Sequence, residues 1–454
     1  MRYNAPIPYA ADAAAYFAAI VDLPWAVWLD SGGRGRYDIL CAQPIATLVT
    51  HGAHTEITHS AETKRLTDDP FELLRQRLGA PVEASPGIPF AGGALGYWGY
   101  DLARRLMVIP AQAQDVEQLP DMAVGIYDWA IVLDHQQKTA QLVSQQRASE
   151  TVHVLPEILE RLLRKGSKPR AEFKVHGRIR SNFTRAEYQS AFEEVQRYLS
   201  AGDCYQVNLA QRYAVAASGD ALQAYLALRH ISPAPYSAFL NLPQAQVLCA
   251  SPECFLHVRD GLVETRPIKG TRPRMDDALH DARMASELHH SAKDRAENLM
   301  IVDLLRNDLG KSCVPGSVKA PRLFEVESFA QVHHLVSTVT GQLAPRRDAL
   351  ALLRDCFPGG SVTGAPKQRA MEIIGQLEPH RRGVYCGVIG YVGYDGNMDS
   401  NIAIRTLVYA KNEISFWAGG GIVADSGAAA EYQETLDKAK AMLDILRQYG
   451  GELI

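Results

Sequence analysis

Missing from these 454 residues is any excess of basic charge: 47 Lys and Arg stand against 51 Asp and Glu, for a formal net charge of -4. No Lys or Arg cluster interleaved with aromatics supplies a nucleic-acid groove, so a small anionic ligand would need local positive charge. No apolar run approaches the length of a membrane span. No basic stretch precedes the Ala-rich N-terminus, which Asp12, Asp22 and Asp30 interrupt, and this argues against a signal peptide. Cysteine is sparse and odd in number: Cys41, Cys204, Cys249, Cys254, Cys313, Cys356 and Cys386 are scattered, without a C-x-x-C pair or a His at metal-ligand spacing. They read as buried thiols in a reducing cytoplasm.

Hydrophobic residues are plentiful at 47%, and the length suits two or three average domains or one large body with an elaborated core. From Leu23 to Ser144 the pattern is mostly strands, with the apolar run Val124 to Leu133 and then Ala140 to Ser144 reading as a hairpin. A short helix is expected over 157–163, and the polar stretch 164–182 reads as a linker. This divides the chain into an N-terminal region, 1–165, and a second region, 183–454. Thr184 and Glu187 form a capping box that opens a helix over 185–200, with Tyr188, Phe192, Val195 and Leu199 as its apolar stripe. Two further hairpins are predicted, one turning at Asp260-Gly261 and one joining Val388–Val392 to Ile402–Leu407. Charged helices over about 284–308 and 428–448 alternate irregularly with these hairpins, which favours antiparallel or mixed sheets. The segment 93–101 shares its Gly, Tyr and Asp spacing with 387–395, either by chance or because two similar strands lie in two packed sheets.

The chemistry-bearing residues fall into small groups. Asp294 and Glu297 share one face of a helix, as do Glu431, Glu434 and Lys438 on the last one. Alone, each pattern is a solvated helix face; facing one another, the two carboxylate pairs would make the oxygen-rich site that Mg²⁺ prefers. Gly419-Gly420-Gly421 ends a strand before Asp425-Ser426, a candidate N-cap, and is either a tight turn or a place where bare amides meet an anion. The segment 359–367 fails as a phosphate-binding P-loop, because Ala365 stands where that motif needs its lysine. It remains a Gly/Ser/Thr-rich turn entering a helix, which can still bind an anion. Lys269, after Arg266-Pro267-Ile268, is either a solvated strand end or, among apolar neighbours or near another cation, a nucleophilic amine.

Taken in order, Cys204 to Leu209, Ser251-Pro252-Glu253, Pro267 to Thr271, Asp294 to Leu304, His333 to Ser337, Gly364 to Lys367, Ile404-Arg405, Gly419 to Gly421 and Glu431 to Thr435 resemble the chorismate-utilising enzyme family. Leu23-Pro24-Trp25, Leu29 to Ser31, Arg36-Tyr37 and Pro120 to Trp129 extend the likeness to the N-terminal region. The resemblance implies an α+β fold of the anthranilate synthase component I type: a large two-sheet, mostly antiparallel β-sandwich wrapped by helices, with the site in a cleft. It implies Mg²⁺ as cofactor, with Glu297 and Glu434 in the metal positions and Asp294 and Glu431 beside them through waters. Within the family, a lysine base is implied for the water-adding enzymes where this chain has Gln206, and alanine for the anthranilate-forming enzymes where it has Lys269.

The resemblance therefore implies amination of chorismate at C4, giving 4-amino-4-deoxychorismate for 4-aminobenzoate and folate synthesis, with anthranilate formation as the alternative. Lys269 would attack C2 while Glu253 protonates the departing hydroxyl. Thr271, His334, Ser361, Tyr385, Arg405, Gly421 and Lys438 match positions that hold or line the substrate. A separate glutamine amidotransferase subunit is implied as the ammonia source, since no cysteine here has a glutaminase-like setting. Leu29, Ser31, Arg36 and Tyr37, with Pro235, Tyr236 and Ser237, resemble a tryptophan pocket, which in this branch holds a structural tryptophan or nothing.

Overall fold

The computed structural model describes residues 2–164, 170–329 and 332–452. Two twelve-stranded sheets form its centre, and every ladder between their strands is antiparallel. Side chains alternate across each strand, as the period of two requires. Val27, Val247, Leu95, Tyr97, Ile389 and Tyr391 turn into the layer between the sheets. Trp28 and Leu248 turn outward under the helices Ala14–Ile20, Thr151–Leu163, Ala221–Ile231 and Ala428–Gln448. On the other sheet Trp98, Val388 and Val392 turn outward under Pro70–Leu78, Ala292–Gly310 and Ala349–Cys356. The expected two-sheet sandwich wrapped by helices is what forms. Among the described residues no helix is long and apolar enough to cross a membrane, and all seven cysteines are buried and unpaired.

Both sequence regions contribute strands to both sheets. They meet where Ala26–Asp30 pairs with Tyr236–Asn241 in one sheet, and where Gly93–Trp98 pairs with Val388–Gly393 in the other. The two echoed segments are thus neighbours in a single sheet, correcting the expectation of one in each. Gly96 faces Gly390 across that ladder, and the missing side chains admit close approach of the strands on either side, Met122–Tyr127 and Met398–Ile402.

The capping box at Thr184 and the helix Arg185–Ser200 stand as expected, as does the hairpin of Cys254–Arg259 with Leu262–Thr265. Elsewhere the boundaries differ. The run 124–133 is cut at Asp128, where the chain leaves one sheet (Met122–Tyr127) for the other (Trp129–Asp134), so only the second piece forms the hairpin with Thr139–Ser144. The helix expected over 157–163 begins at Thr151. Of the linker read over 164–182, residues 165–169 lie outside the described residues, and Lys174–Ser181 is an edge strand paired with Gln206–Ser218. The single helix over 284–308 is two, Ala278–His290 and Ala292–Gly310, with Ser291 capping the second by accepting from the Asp294 amide. The later hairpin is Val388–Gly393 with Met398–Ile402; Thr406–Ala410 belongs to the other sheet.

Candidate active site

Glu253 and Arg405 sit where the chain crosses between sheets. Ser251 ends a strand of one sheet and Cys254 begins a strand of the other, leaving Glu253 in the crossing. The Ser251 hydroxyl closes that turn, accepting from the Glu253 amide at 3.2 Å and donating to the Ile402 carbonyl at 2.6 Å. Arg405 lies in the return crossing between Ile402 and Thr406, with φ of 50°. The Glu253 carboxyl is buried, and Ser361 Oγ donates to its Oε1 at 2.6 Å. Burial raises its pKa, against the opposing effects of the Ser361 bond and the charges of Lys269 and Lys438.

Lys269 comes from the strand Ile268–Pro273, whose register against Val332–Gln342 shifts between Ile268 and Thr271. Such a bulge re-aims side chains. Gly270 permits it: φ is +81°, and a Cβ there would lie 2.8 Å from Leu288 and 2.9 Å from the Asp294 carboxyl carbon. The half-buried Lys269 side chain brings Nζ to 3.3 Å from the Ser361 main-chain oxygen. Desolvation is the main cause that lowers its pKa, and the Lys438 charge adds to it, while Glu253, Glu297 and Glu434 oppose. One turn, carrying Ser361, therefore touches both the acid by its hydroxyl and the amine by its carbonyl. An amine whose pKa is lowered beside a carboxyl whose pKa is raised is the arrangement for nucleophilic attack with general-acid assistance.

The remaining residues gather around this pair. Thr271 Oγ1 and His334 Nδ1 share a hydrogen bond of 2.9 Å, and burial, aided by the Arg405 charge, takes the imidazole down to about 4, so it is neutral near pH 7. Arg405, half-buried, forms no ion pair among the described residues, and desolvation lowers its pKa; a partly desolvated guanidinium in that condition suits an anionic ligand. Tyr385 stacks nearly parallel on Trp417 with centroids 6.0 Å apart. Gly421 faces Asn208 in its ladder, and a Cβ there would meet Gln206 Nε2 at 2.7 Å. The fully buried Gln206 carboxamide has no hydrogen-bond partner among the described residues. Lys438 donates to the Gly419 carbonyl at 3.0 Å and pairs with Glu434 at 2.6 Å.

The carboxylates approach one another only in part. Among the described residues no three potential ligands are gathered at metal-binding distances. A Cβ on Gly420 would lie 3.2 Å from Glu431 Oε2 and 3.3 Å from Glu434 Oε1, so two carboxylates converge over that glycine. Glu431 Oε1 accepts from Ser426 Oγ at 2.6 Å, but its buried Oε2 has no hydrogen-bond partner among the described residues. Ser426 is thus a carboxylate donor and not the helix cap; Gly427 holds the cap position. Burial raises the pKa of Glu297, and the Asp294 and Glu434 charges add to the rise. Asp294 is drawn aside by Arg272 at 3.0 Å. An orphaned buried oxygen among mutually repelling carboxylates fits a hard divalent cation.

Around the resembled tryptophan pocket, the turn after Asp30 and the segment before Tyr236 come together through the pairing of Ser237 with Asp30. The Ser31 amide donates to Asp38 at 2.7 Å, Arg36 grips Asp134 at 2.8 Å and lies over the Tyr37 ring at 4.7 Å, and Pro235 O is 3.5 Å from where Gly35 would carry a Cβ. A separate surface cleft of about 480 Å³, lined by Gly52, Thr67, Asp101, Arg104 and Arg105 among others, shares no residue with the catalytic group. Within it Arg104 pairs with Asp101 at 2.9 Å and Arg105 donates to main-chain carbonyls. Sequence reading missed Arg382 and Glu378, a fully buried ion pair of 2.6 Å behind the Ser361 turn.

A chorismate binding enzyme family model matches residues 26–444. The chain is 50% identical over 440 residues to aminodeoxychorismate synthase component 1 of Escherichia coli K12, covering 95% of this chain and 96% of that one. It is 38% identical over 449 residues to anthranilate synthase component 1 of Pseudomonas aeruginosa, covering 94% and 91% respectively. The crystal structure of anthranilate synthase component I from Streptococcus pneumoniae TIGR4 superposes with a TM-score of 0.81 at 32% identity, over 90% of this chain and 92% of that one. With the model spanning most of its length and its acid, amine and anion-seeking residues drawn to one place, the chain belongs to the chorismate binding enzyme family.

Proposed function

We propose that this chain aminates chorismate at C4 to give 4-amino-4-deoxychorismate, using ammonia delivered by a separate glutamine amidotransferase subunit. The observation that carries the reading is Lys269 beside Glu253 on either side of the Ser361 turn. Neutral Lys269 forms a bond to C2 as the C4–O bond breaks, and Glu253 gives its proton to the departing hydroxyl, which leaves as water. Ammonia then bonds to C4 and the C2–N bond breaks, returning Lys269 as a free amine; the new ammonium gives its extra proton to the Glu253 carboxylate. Arg405 and the Gly421 amide hold substrate carboxylates, Tyr385 and His334 line the ring, and Thr271 fixes the imidazole. Mg²⁺ would be held by Glu297 and Glu434, with Asp294 and Glu431 beside them, and when bound would anchor a carboxylate and stabilise redistributed charge. The relatives named component 1 support a partner subunit.

The test is to incubate the purified chain with chorismate, Mg²⁺ and a high ammonium concentration and to identify the product by mass and absorbance. The amino product with C4–N connectivity is expected; anthranilate, isochorismate or no turnover overturns the reading. Lys269→Ala is expected to abolish the adduct seen by intact-mass measurement, and an unchanged adduct rejects the nucleophile.

A further inference from the structure

Arg382 has no reason in the substrate chemistry to be where it is. It touches none of the residues proposed to hold chorismate except the Tyr385 ring, 5.7 Å from its guanidinium carbon, and it is 1% exposed. Burying a guanidinium is costly unless its donors are met. Here Nε donates to Glu378 Oε2 at 2.8 Å and Nη2 to Glu378 Oε1 at 2.6 Å, a two-point fork. Nη2 also reaches the Asn208 carbonyl at 3.0 Å, and Nη1 donates to the Val362 carbonyl at 2.9 Å. Glu378 Oε1 in turn accepts from the Ala210 amide at 2.9 Å.

Val362 adjoins Ser361, and the Asn208 amide donates to the Thr363 carbonyl at 2.8 Å. The turn that meets Glu253 and Lys269 is therefore gripped one and two residues further along, by Arg382 and by the strand that Arg382 and Glu378 themselves hold. On the other side, a Cβ at Gly360 would meet Leu304 at 2.5 Å, so the turn is pressed against the helix Ala292–Gly310. The Tyr385 amide donates to the Arg382 carbonyl at 3.1 Å, which places the stacked ring from the same anchor.

We infer that the buried Arg382–Glu378 pair is a positioning device for the reaction, fixing the Ser361 turn so that its hydroxyl and its carbonyl meet Glu253 and Lys269 together. This rests on the reading of Lys269 and Glu253 as the reacting pair. Arg382 acts through the turn and touches no reacting atom. Lysine cannot replace it, because one ammonium cannot span Glu378, Asn208 and Val362 in a single plane.

The experiment compares wild type, Arg382→Lys, Ser361→Ala and the double variant by steady-state kinetics with ammonium, together with hydrogen exchange of the peptides covering 357–366 and 122–134. Expected are a kcat lowered about 10- to 100-fold in Arg382→Lys with KM for chorismate within about threefold. The double variant should be no slower than Arg382→Lys alone, and amide protection should be lost over 357–366 but kept over 122–134. Multiplying losses in the double variant, or unchanged protection over 357–366, overturns the inference. Should Arg382→Lys fail to fold, Glu378→Gln, of the same shape, takes its place in the same comparison. If the wild-type chain yields another product or none, the proposed function fails, while the exchange comparison still decides whether Arg382 holds the turn.

Discussion

Removing one hydroxyl should move the pH dependence of the reaction in a direction that the geometry fixes. The Ser361 hydroxyl donates to Glu253 at 2.6 Å, which favours the ionised carboxylate, while burial favours the acid. A hydrogen bond to a charged group is worth about 1.5–3 kcal/mol. At about 1.36 kcal/mol per pH unit, Ser361→Ala therefore moves the Glu253 ionisation upward by about one to two pH units. The Ser361 carbonyl that receives Lys269 is main chain and survives the change. The proposed reaction needs Glu253 protonated and Lys269 neutral, so with the carboxyl the stronger acid the competent form is a minority, constant between the two ionisations. In kcat/KM the acid-side limb then reports the carboxyl and the base-side limb the amine, as apparent values of an interacting pair. Narrowing their gap by one unit raises the competent fraction about tenfold, offsetting part of the loss in alignment. The assay is kcat/KM for chorismate with saturating ammonium across the pH range, in wild type and Ser361→Ala. An acid-side limb that stays in place or moves downward refutes the reasoning.

Arg405→Met should weaken chorismate binding about 10- to 100-fold in a calorimetric titration, since the loss of a charge-assisted contact to a guanidinium costs about 1.5–3 kcal/mol; equal affinity would remove Arg405 from the anion site. Gly420→Ala sets a methyl about van der Waals distance or closer to the Glu431 and Glu434 oxygens and should raise the Mg²⁺ concentration for half-maximal rate about tenfold, with the unfolding temperature little changed. His334, taken down to about 4 by burial, should show no NMR titration above pH 6. Because its folded pKa is below its ordinary value, its contribution to stability is full above about pH 6.5 and is lost as pH falls from there through about 4. Denaturant melts of wild type and His334→Gln should therefore converge or cross in that window.

Elements with a strong local signal were readable from sequence: the capping box at Thr184, the Asp260-Gly261 turn and the strand-rich pattern from Leu23 to Ser144. The strand Lys174–Ser181 was not, because it is an edge with only Val175 and Ile179 buried and its alternation is broken between His176 and Arg180. The helix Ala278–His290 buries Leu288 alone and offers almost no stripe to read. For the site, ordered motifs placed Glu253, Lys269, Arg405 and the two carboxylate pairs in one family pattern; the fold brings Glu253 and Lys269 to the Ser361 turn, while the carboxylate pairs approach one another only in part. Sequence could not say that Asp294 would be drawn to Arg272, nor that Glu431 would keep a bare oxygen, since both depend on which helix faces which. Arg382 carried no signal at all. A charged residue after Arg381 and before Gly383 looks like any solvated turn, and only the assembled structure shows it buried against Glu378.

The two sheets explain why acid and anion-seeking cation are found together although about 150 residues of sequence separate Glu253 from Arg405. Each lies at a crossing of the chain between sheets, and the crossings are bonded to each other: the Ala250 amide donates to the Arg405 carbonyl at 3.1 Å, and the Ile402 amide to the Glu253 carbonyl at 3.1 Å. Both bonds are main chain to main chain, so they persist when either side chain is replaced. A substitution at Arg405 should then leave the acid in place and register in KM, whereas one at Glu253 should leave the anion site in place and register in kcat. Lys269 is held differently, by a bulged strand whose geometry depends on Gly270 lying against the Asp294 helix start. Gly270→Ala forces that helix and strand apart, displacing the amine and the carboxylate helix together. Its loss should therefore combine a lower kcat with a higher Mg²⁺ requirement, and a loss confined to kcat would mean that Lys269 is placed independently of the carboxylates.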